Sequence, residues 1–241
     1  MSAVSVRRLW KSYGDRPILE RINLDVASGS FVTMVGASGC GKSTFLRILL
    51  GQESASRGEI TVDGKPLPDE PGPERGIVFQ RYSVFPHLTV LGNAMLGLEL
   101  AGNRWWGRLA GAARRKARDE ARAMLDQVGL GRHADAMPSA LSGGMQQRLA
   151  IAQALILKPR ILLLDEPFGA LDPGIRADMH ELVKRLWRET GMTVFMVTHD
   201  LREAFVLGTR VLTFDKVRHD PQAPDAYGAT VTYDLPGYNR G

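Results

Sequence analysis

The sequence predicts an α/β fold: a phosphate-binding core that carries antiparallel strands at its N-terminal side and a helical block inserted in its middle. Three observations predict it. A glycine-rich loop, GASGCGKST at residues 36–44, lies between a short β-favouring run, FVTMV, and an apolar helical run, TFLRILL. Much later, ILLLDE gives a continuous apolar run ending in two carboxylates, the mark of a strand buried on both faces of a parallel sheet. Between them, from about residue 86 to residue 157, the pattern changes to helix.

Composition bounds the answer. With 241 residues, 44% of them hydrophobic, the chain is long enough for one well-cored domain and is not a disordered protein. Its longest apolar runs, such as ILLL at 161–164, fall far below the roughly 20 residues that cross a bilayer. The start, MSAVSVRRLW, lacks a secretory apolar core, so a cytoplasmic chain is expected. The one cysteine, Cys40, lies inside the glycine-rich loop, where a disulfide would obstruct the site; a reducing compartment fits, with Cys40 as a small loop residue. The net charge of +5 is compatible with nucleic acid, anionic lipid or neither. The densest basic cluster, Arg114, Arg115, Lys116 and Arg118, is followed by Asp119 and Glu120 on one helix, and reads as a solvated face with intrahelical pairs. No internal repeat is present, which excludes two copies of one unit in the chain.

In chain order, residues 4–35 read as antiparallel strands, VSVRRLW, INLDV and FVTMV, with Tyr13 between the first two able to stack on a base. Gly51 closes the helix after the loop. GEITV precedes an Asp63-Gly64 turn, and GIVFQ is a strand ending in Gln80, which can meet a metal ion or an attacking water. In the helical block Ala117, Ala121, Met124, Leu125 and Val128 fall at helical spacing. Trp105 and Trp106 sit in an interruption, NRWWGRLAG, and serve either a partner surface or simple packing. Ser142 takes the N-cap position of a helix led by Gly143 and Gly144, a second helix start open to an anion. Asp172 and Pro173 occupy the N-cap and first position of another helix that runs to Gly191. The strand TVFMV follows, with His199 just past its end.

The loop's chemistry follows from its residues. Gly36, Gly39 and Gly41 let the backbone curl so that successive N–H groups point at phosphate oxygens, and the following helix aims its positive end at the same anion. Lys42 is placed to reach the β- and γ-phosphates, Ser43 to hold Mg²⁺, and Thr44 to add a phosphate contact. Asp165 and Glu166 are adjacent on a strand end and point to opposite sides, so one is expected to hold Mg²⁺ and the other to orient and deprotonate a water. The loop, this acidic pair and His199 all fall at C-terminal strand ends, where active-site groups of parallel α/β sheets collect.

GASGCGKST, the strand-end Gln80, the signature LSGGM, ILLLDE, ALD at residues 170–172 and VTHD around His199 stand in the order of one family. On these motifs the chain resembles the ATP-binding cassette (ABC) ATPases over nearly its whole length. In QRYSVFPHLTVLGNA, LSGGMQQRLAIAQAL, DEPFGALD and the late YDLP it is similar to importer ATPases, most closely the group serving nitrate, sulfonate, taurine and related nutrients. The resemblance implies a P-loop nucleoside-triphosphatase core of the ABC type, as one domain: residues 1–85 and 158–214 as α/β core with its β-subdomain, 86–157 as the helical signature subdomain, and 215–241 as a short tail. It implies a head-to-tail homodimer with two ATP molecules between the chains. Tyr13 and the loop residues Gly36, Ala37, Ser38, Gly39, Cys40, Gly41, Lys42, Ser43 and Thr44 of one chain would hold each ATP, covered by Ser142, Gly143 and Gly144 of the other. Glu166 carries over as general base, Ser43, Gln80 and Asp165 as Mg²⁺ and water ligands, His199 as the γ-phosphate contact, and Asp172 as a link between the two sites. The implied partners are two transmembrane permease subunits and, through them, a solute-binding protein, at the cytoplasmic face of the membrane, with no nucleic acid. Met145 and Gln153 depart from the wider family's usual glutamine and arginine, and both NRWWGRLAG and the tail after Phe214 depart from its usual form.

Overall fold

A computed structural model describes residues 2–80, 84–102, 109–218, 222–223 and 226–238. Strands β1 (Ser2–Tyr13) and β2 (Arg16–Ala27) form a long antiparallel pair. β3 (Phe31–Val35) then leaves that sheet, runs into the glycine-rich loop and is followed by α1 (Lys42–Leu50). β4 (Arg57–Val62) and β5 (Lys65–Pro66), joined through a turn at Asp63 and Gly64, return to complete a four-stranded sheet of order β2-β1-β4-β5. β6 (Arg75–Val78) opens the second half of the core.

Next come α2 (Val90–Gly102), α3 (Gly111–Gln127) and α4 (Gly143–Leu155). On α3 the basic residues 114–116 and Arg118 are exposed, with Lys116 4.0 Å from Glu120, while Ala117, Ala121 and Leu125 are buried. That is the solvated face the spacing predicts. Trp105 and Trp106 lie outside the described residues. β7 (Ile161–Asp165), α5 (Pro173–Thr190), β8 (Thr193–Val197), α6 (Leu201–Leu207), β9 (Arg210–Asp215) and β10 (Thr230–Pro236) finish the chain.

The main sheet has the order β10-β9-β3-β8-β7-β6, parallel except for β10. Its central strands are buried on both faces, and successive side chains feed different cores. Leu162, Leu164, Val194 and Met196 pack under α2 to α5, whereas Ile161, Leu163, Phe195 and Val197 pack against α1 and the antiparallel sheet. Two differences from the sequence reading follow. FVTMV is not a third antiparallel strand; all five of its residues are buried, and it lies parallel between β8 and β9. A run apolar at four of its five positions, with Thr33 bonded to the Ala204 carbonyl, needs cover on both faces, which the interior of the parallel sheet supplies. The segment after Phe214, expected as a short tail, carries β10, which pairs with β9 and is anchored by the Arg210–Asp234 ion pair. Among the described residues no helix is long and apolar enough to cross a membrane.

Candidate functional site

The site is assembled at the C-terminal ends of β3, β6, β7 and β8. β3 delivers the loop. Gly36 has φ 146° and its α-carbon faces the Phe214 carbonyl so closely that any Cβ would collide with it. Gly41, at φ 89°, is the N-cap of α1, and a Cβ there would lie 2.6 Å from Leu19 Cδ2. Only glycine fits either position. No acidic side chain stands in the first turn of α1, so its leading N–H groups and positive end remain available to an anion.

Lys42 is buried, and its ammonium folds back over the loop, donating to the Gly36 and Ala37 carbonyls at 2.8 Å each and to Cys40 Sγ at 3.5 Å. Its charge thereby sits at the centre of the curl that Ala37, Ser38 and Gly39 expose to solvent. Next along α1, Ser43 Oγ donates to Asp165 Oδ1 at 2.9 Å, joining the helix start to the end of β7. Burial pushes the Asp165 carboxyl above its ordinary value against the Ser43 hydrogen bond, and the Glu166 charge beside it adds to the rise. A half-buried carboxylate with a hydroxyl next to it is a set of hard oxygen donors, with excess negative charge that a divalent cation would offset. These residues fit Mg²⁺.

Glu166 follows, but not as one more strand residue. Its φ is 47°, a left-handed conformation that costs a non-glycine residue about 1–3 kcal/mol and is found at functional sites. Its N–H donates to the Val197 carbonyl at 3.0 Å, which pins the turn to β8. The separation of Asp165 from Glu166 therefore comes from this backbone turn as well as from strand alternation. Gln80, two residues past β6, donates from Nε2 to Glu166 Oε2 at 3.3 Å, and His199 Nδ1 lies 3.6 Å from the same oxygen. Gln80, Glu166 and His199, from three strand ends, meet on one carboxylate.

Tyr13 lies at the end of β1 with its ring nearly half exposed. Its hydroxyl donates to Glu53 Oε2, and Lys11 Nζ stands 4.9 Å over the ring. Burial and the Glu53 hydrogen bond both raise the phenol. Burial also acts to raise Glu53, yet hydrogen bonds from Tyr13, Lys11 and Arg47 outweigh it and leave that carboxyl below its usual range. The ring is thus held by a charged cluster that the sequence reading missed.

The remaining site residues are elsewhere. Ser142 and Gly143 are exposed at the start of α4, where Ser142 Oγ accepts from the Met145 N–H at 3.4 Å. Gly144 is buried, and a Cβ on it would meet Ile175 Cγ2 at 2.6 Å. Among the described residues no hydrogen bond joins Ser142, Gly143 or Gly144 to residues 36–44. Asp172 occupies the N-cap position of α5 as expected, but its exposed carboxylate makes no capping bond there. Pro173, with no N–H of its own, removes one donor from that first turn.

A second missed group lies behind His199. Thr198 and Glu203, both buried, and the half-buried His180 form a hydrogen-bonded chain. The one available signal was Asp200-x-x-Glu203, a capping-box pattern. Asp200 does cap α6, accepting from the Arg202 and Glu203 N–H groups, but the Glu203 side chain turns inward to Thr198 and His180 instead of back to the helix start.

Comparison with known proteins shows the family. A family model described as "ABC transporter" matches residues 19–169. A protein of Brucella abortus named as an ATP-binding protein is 47% identical over 209 residues, 87% of this chain and 76% of its own length. An aliphatic sulfonates import ATP-binding protein of Burkholderia ambifaria is 44% identical, over 92% of this chain and 65% of its own length. Its counterpart in Burkholderia lata is 45% identical, over 90% and 62%. The chain thus spans a little under two thirds of these two sulfonate relatives. Among solved structures, the dimeric ATP-binding cassette MJ0796 in a post-hydrolysis state with ADP and Pi superposes with a TM-score of 0.77 at 32% identity, covering 97% of this chain and 98% of that one. The protein cbiO1 of Clostridium perfringens, part of the ABC transporter complex cbiONQ, gives a TM-score of 0.81 at 25% identity, covering 98% of this chain and 88% of that one.

Proposed function

The chain belongs to the ABC transporter family, and from that membership we propose that it is the ATP-hydrolysing subunit of a membrane importer for a small polar nutrient. The observation that carries the reading is the convergence of Gln80 and His199 on one Glu166 oxygen, beside the Ser43–Asp165 pair and the Lys42 loop.

In this reading the loop N–H groups and Lys42 bind the β- and γ-phosphates, and the Tyr13 ring stacks on adenine. Phosphate oxygens would replace the Gly36 and Ala37 carbonyls as partners of the Lys42 ammonium, a charge-assisted exchange. Ser43 and Asp165, with Gln80, would hold Mg²⁺, which supplies charge neutralisation on the phosphate oxygens when bound. Glu166 takes a proton from water as the water oxygen attacks the γ-phosphorus; the bond to the β-bridging oxygen breaks and ADP and phosphate leave. Gln80 and His199 orient that water and the γ-phosphate.

Ser142 and Gly143, exposed and unconnected to the chain's own loop, suit a second copy's ATP, as in the head-to-tail dimer of the family. Closing that dimer on ATP and opening it after hydrolysis would drive two permease subunits, fed by a solute-binding protein, at the cytoplasmic face of the membrane. The two sulfonate-import relatives support an aliphatic sulfonate or a chemically related solute, with nitrate, taurine and nitrogen-rich organic compounds in the same range. The test is to tag the chain, extract it from native membranes in mild detergent and identify what co-purifies. A polytopic membrane subunit is expected; ribosomes or DNA without any membrane protein would overturn the reading.

A further inference from the structure

His199 is exposed on a short loop between β8 and α6, and something must fix where its ring stands. The residues on either side of it show what does. Thr198 is buried; its hydroxyl donates to Glu203 Oε2 and accepts from the Asp200 N–H at 3.1 Å. The other oxygen of the buried Glu203 lies 2.7 Å from His180 Nε2. His180 belongs to α5, where its ring rests against Phe168 with centroids 5.0 Å apart. One turn earlier on α5, Arg176 donates to the Leu171 carbonyl at 3.1 Å and stands 3.7 Å from Asp200. Two successive turns of α5 therefore grip the loop on both sides of His199.

We infer that His180 and Glu203, acting through Thr198, are positioning residues that hold His199 beside Glu166. Both Glu203 oxygens are used, one by Thr198 and one by His180, so removing either partner leaves a buried carboxylate oxygen without a hydrogen bond and frees the loop to move. Loop displacement on the order of 1 Å is enough to cost a large factor in rate. Because Asp172 is the N-cap of α5, the same helix ties the ALD segment to the His199 loop within one chain. The inference rests on the assignment of Glu166 and His199 to hydrolysis.

The experiment is steady-state ATP hydrolysis by the purified full chain with Mg²⁺. His180→Ala is expected to lower kcat about tenfold while the KM for Mg-ATP stays within about twofold. His180→Gln, whose amide N–H can still donate to Glu203, should recover most of the rate. Thr198→Val, which keeps shape and removes the hydroxyl, should reproduce the His180→Ala loss even if His180→Ala proves too unstable to purify. The decisive measurement is the double variant: if His180 acts through His199, His180→Ala in a His199→Ala background causes no further loss. Multiplicative losses, or an unchanged kcat in both His180→Ala and Thr198→Val, would overturn the inference. Its failure stays separate from that of the functional reading. A wild-type chain without ATPase activity, or an unaffected Glu166→Gln variant, sinks the reading, whereas an inactive Glu166→Gln beside a fully active Thr198→Val sinks only the positioning chain.

Discussion

Helices α1 and α4 both start next to glycines, yet the space in front of each is filled differently. At α1 the chain supplies everything around the helix start: Gly36 and Ala37 carbonyls on the Lys42 ammonium, and Asp165 on Ser43. At α4 the chain supplies a cap and little else. Ser142 bonds its own helix, Gly144 is pressed against Ile175, and Ser142 and Gly143 face solvent. The first arrangement is a set of groups that one chain supplies by itself, with the leading N–H groups of α1 still open to an anion. The second is a positive helix end and a flat glycine surface with room for a ligand carried by another molecule. The difference teaches that the two halves of the motif set should respond differently to the same kind of lesion.

The largest effect is expected at the first of these, the loop with its acidic strand end. Glu166→Gln keeps the shape of the side chain and removes the base, so turnover should fall by about 10²–10⁴ while ATP binding persists. Turnover near the wild-type rate would remove Glu166 from its role. Lys42→Ala should raise the ATP dissociation constant about 10- to 100-fold, the worth of one or two charge-assisted hydrogen bonds. Ser142→Ala should leave that constant within about twofold in the isolated chain, costing instead about 1 kcal/mol of stability through its lost cap. Equal losses of affinity in the two variants would break the contrast between the helix starts.

Mixing chains sharpens it further. Lys42→Ala and Ser142→Arg should each be inactive alone. If each site takes its loop from one chain and its α4 start from the other, a mixed dimer contains one intact site and one carrying both lesions. An equimolar mixture makes mixed dimers half of the population, so about a quarter of the wild-type rate should return. No recovery on mixing, with mixed dimers shown to form, would place both motifs in the same chain's site.

Much of the fold and of the candidate site is legible in the sequence, and the reasons are local. The loop between an apolar strand and an apolar helix, the ILLLDE run and the strand-end His199 each announce themselves through neighbours in sequence. So did Gly51 and Gly191, both in the left-handed conformation that ends a helix. What failed needed long-range information. The partners of FVTMV are not legible because a five-residue, mostly apolar strand carries no sign of its sheet. β10 was missed because TVTYDLP is an edge strand, half polar, whose register is set by β9 and by Arg210 from another part of the chain. Glu203 carries no sequence sign beyond a capping-box spacing from Asp200, and only the distance to His180 on a different helix shows where its charge is spent. Tyr13 was singled out, but Glu53, Lys11 and Arg47, which hold it, are scattered in sequence and ordinary in type.

The smallest effect expected is also the one that tests the metal assignment without any catalytic assay. Burial holds the Asp165 carboxyl above its ordinary value. A group raised in this way contributes stability while it is protonated, below its ordinary value of 3.8, and that contribution is lost as pH rises through the raised value. At a pH above its ordinary value the Asp165 carboxyl is therefore a cost to the folded chain, one that a divalent cation would offset. Asparagine keeps an oxygen for the Ser43 hydroxyl and carries no charge. In the absence of nucleotide and Mg²⁺, Asp165→Asn should melt about 2 °C above wild type at pH 7, with the difference shrinking as pH falls toward 4. Adding Mg²⁺ with a non-hydrolysable ATP analogue should reverse the order, because only the carboxylate gains a cation. A variant that melts below wild type at pH 7 would mean that the buried charge is already compensated within the chain, and the argument for a cation between Ser43 and Asp165 would lose its physical basis.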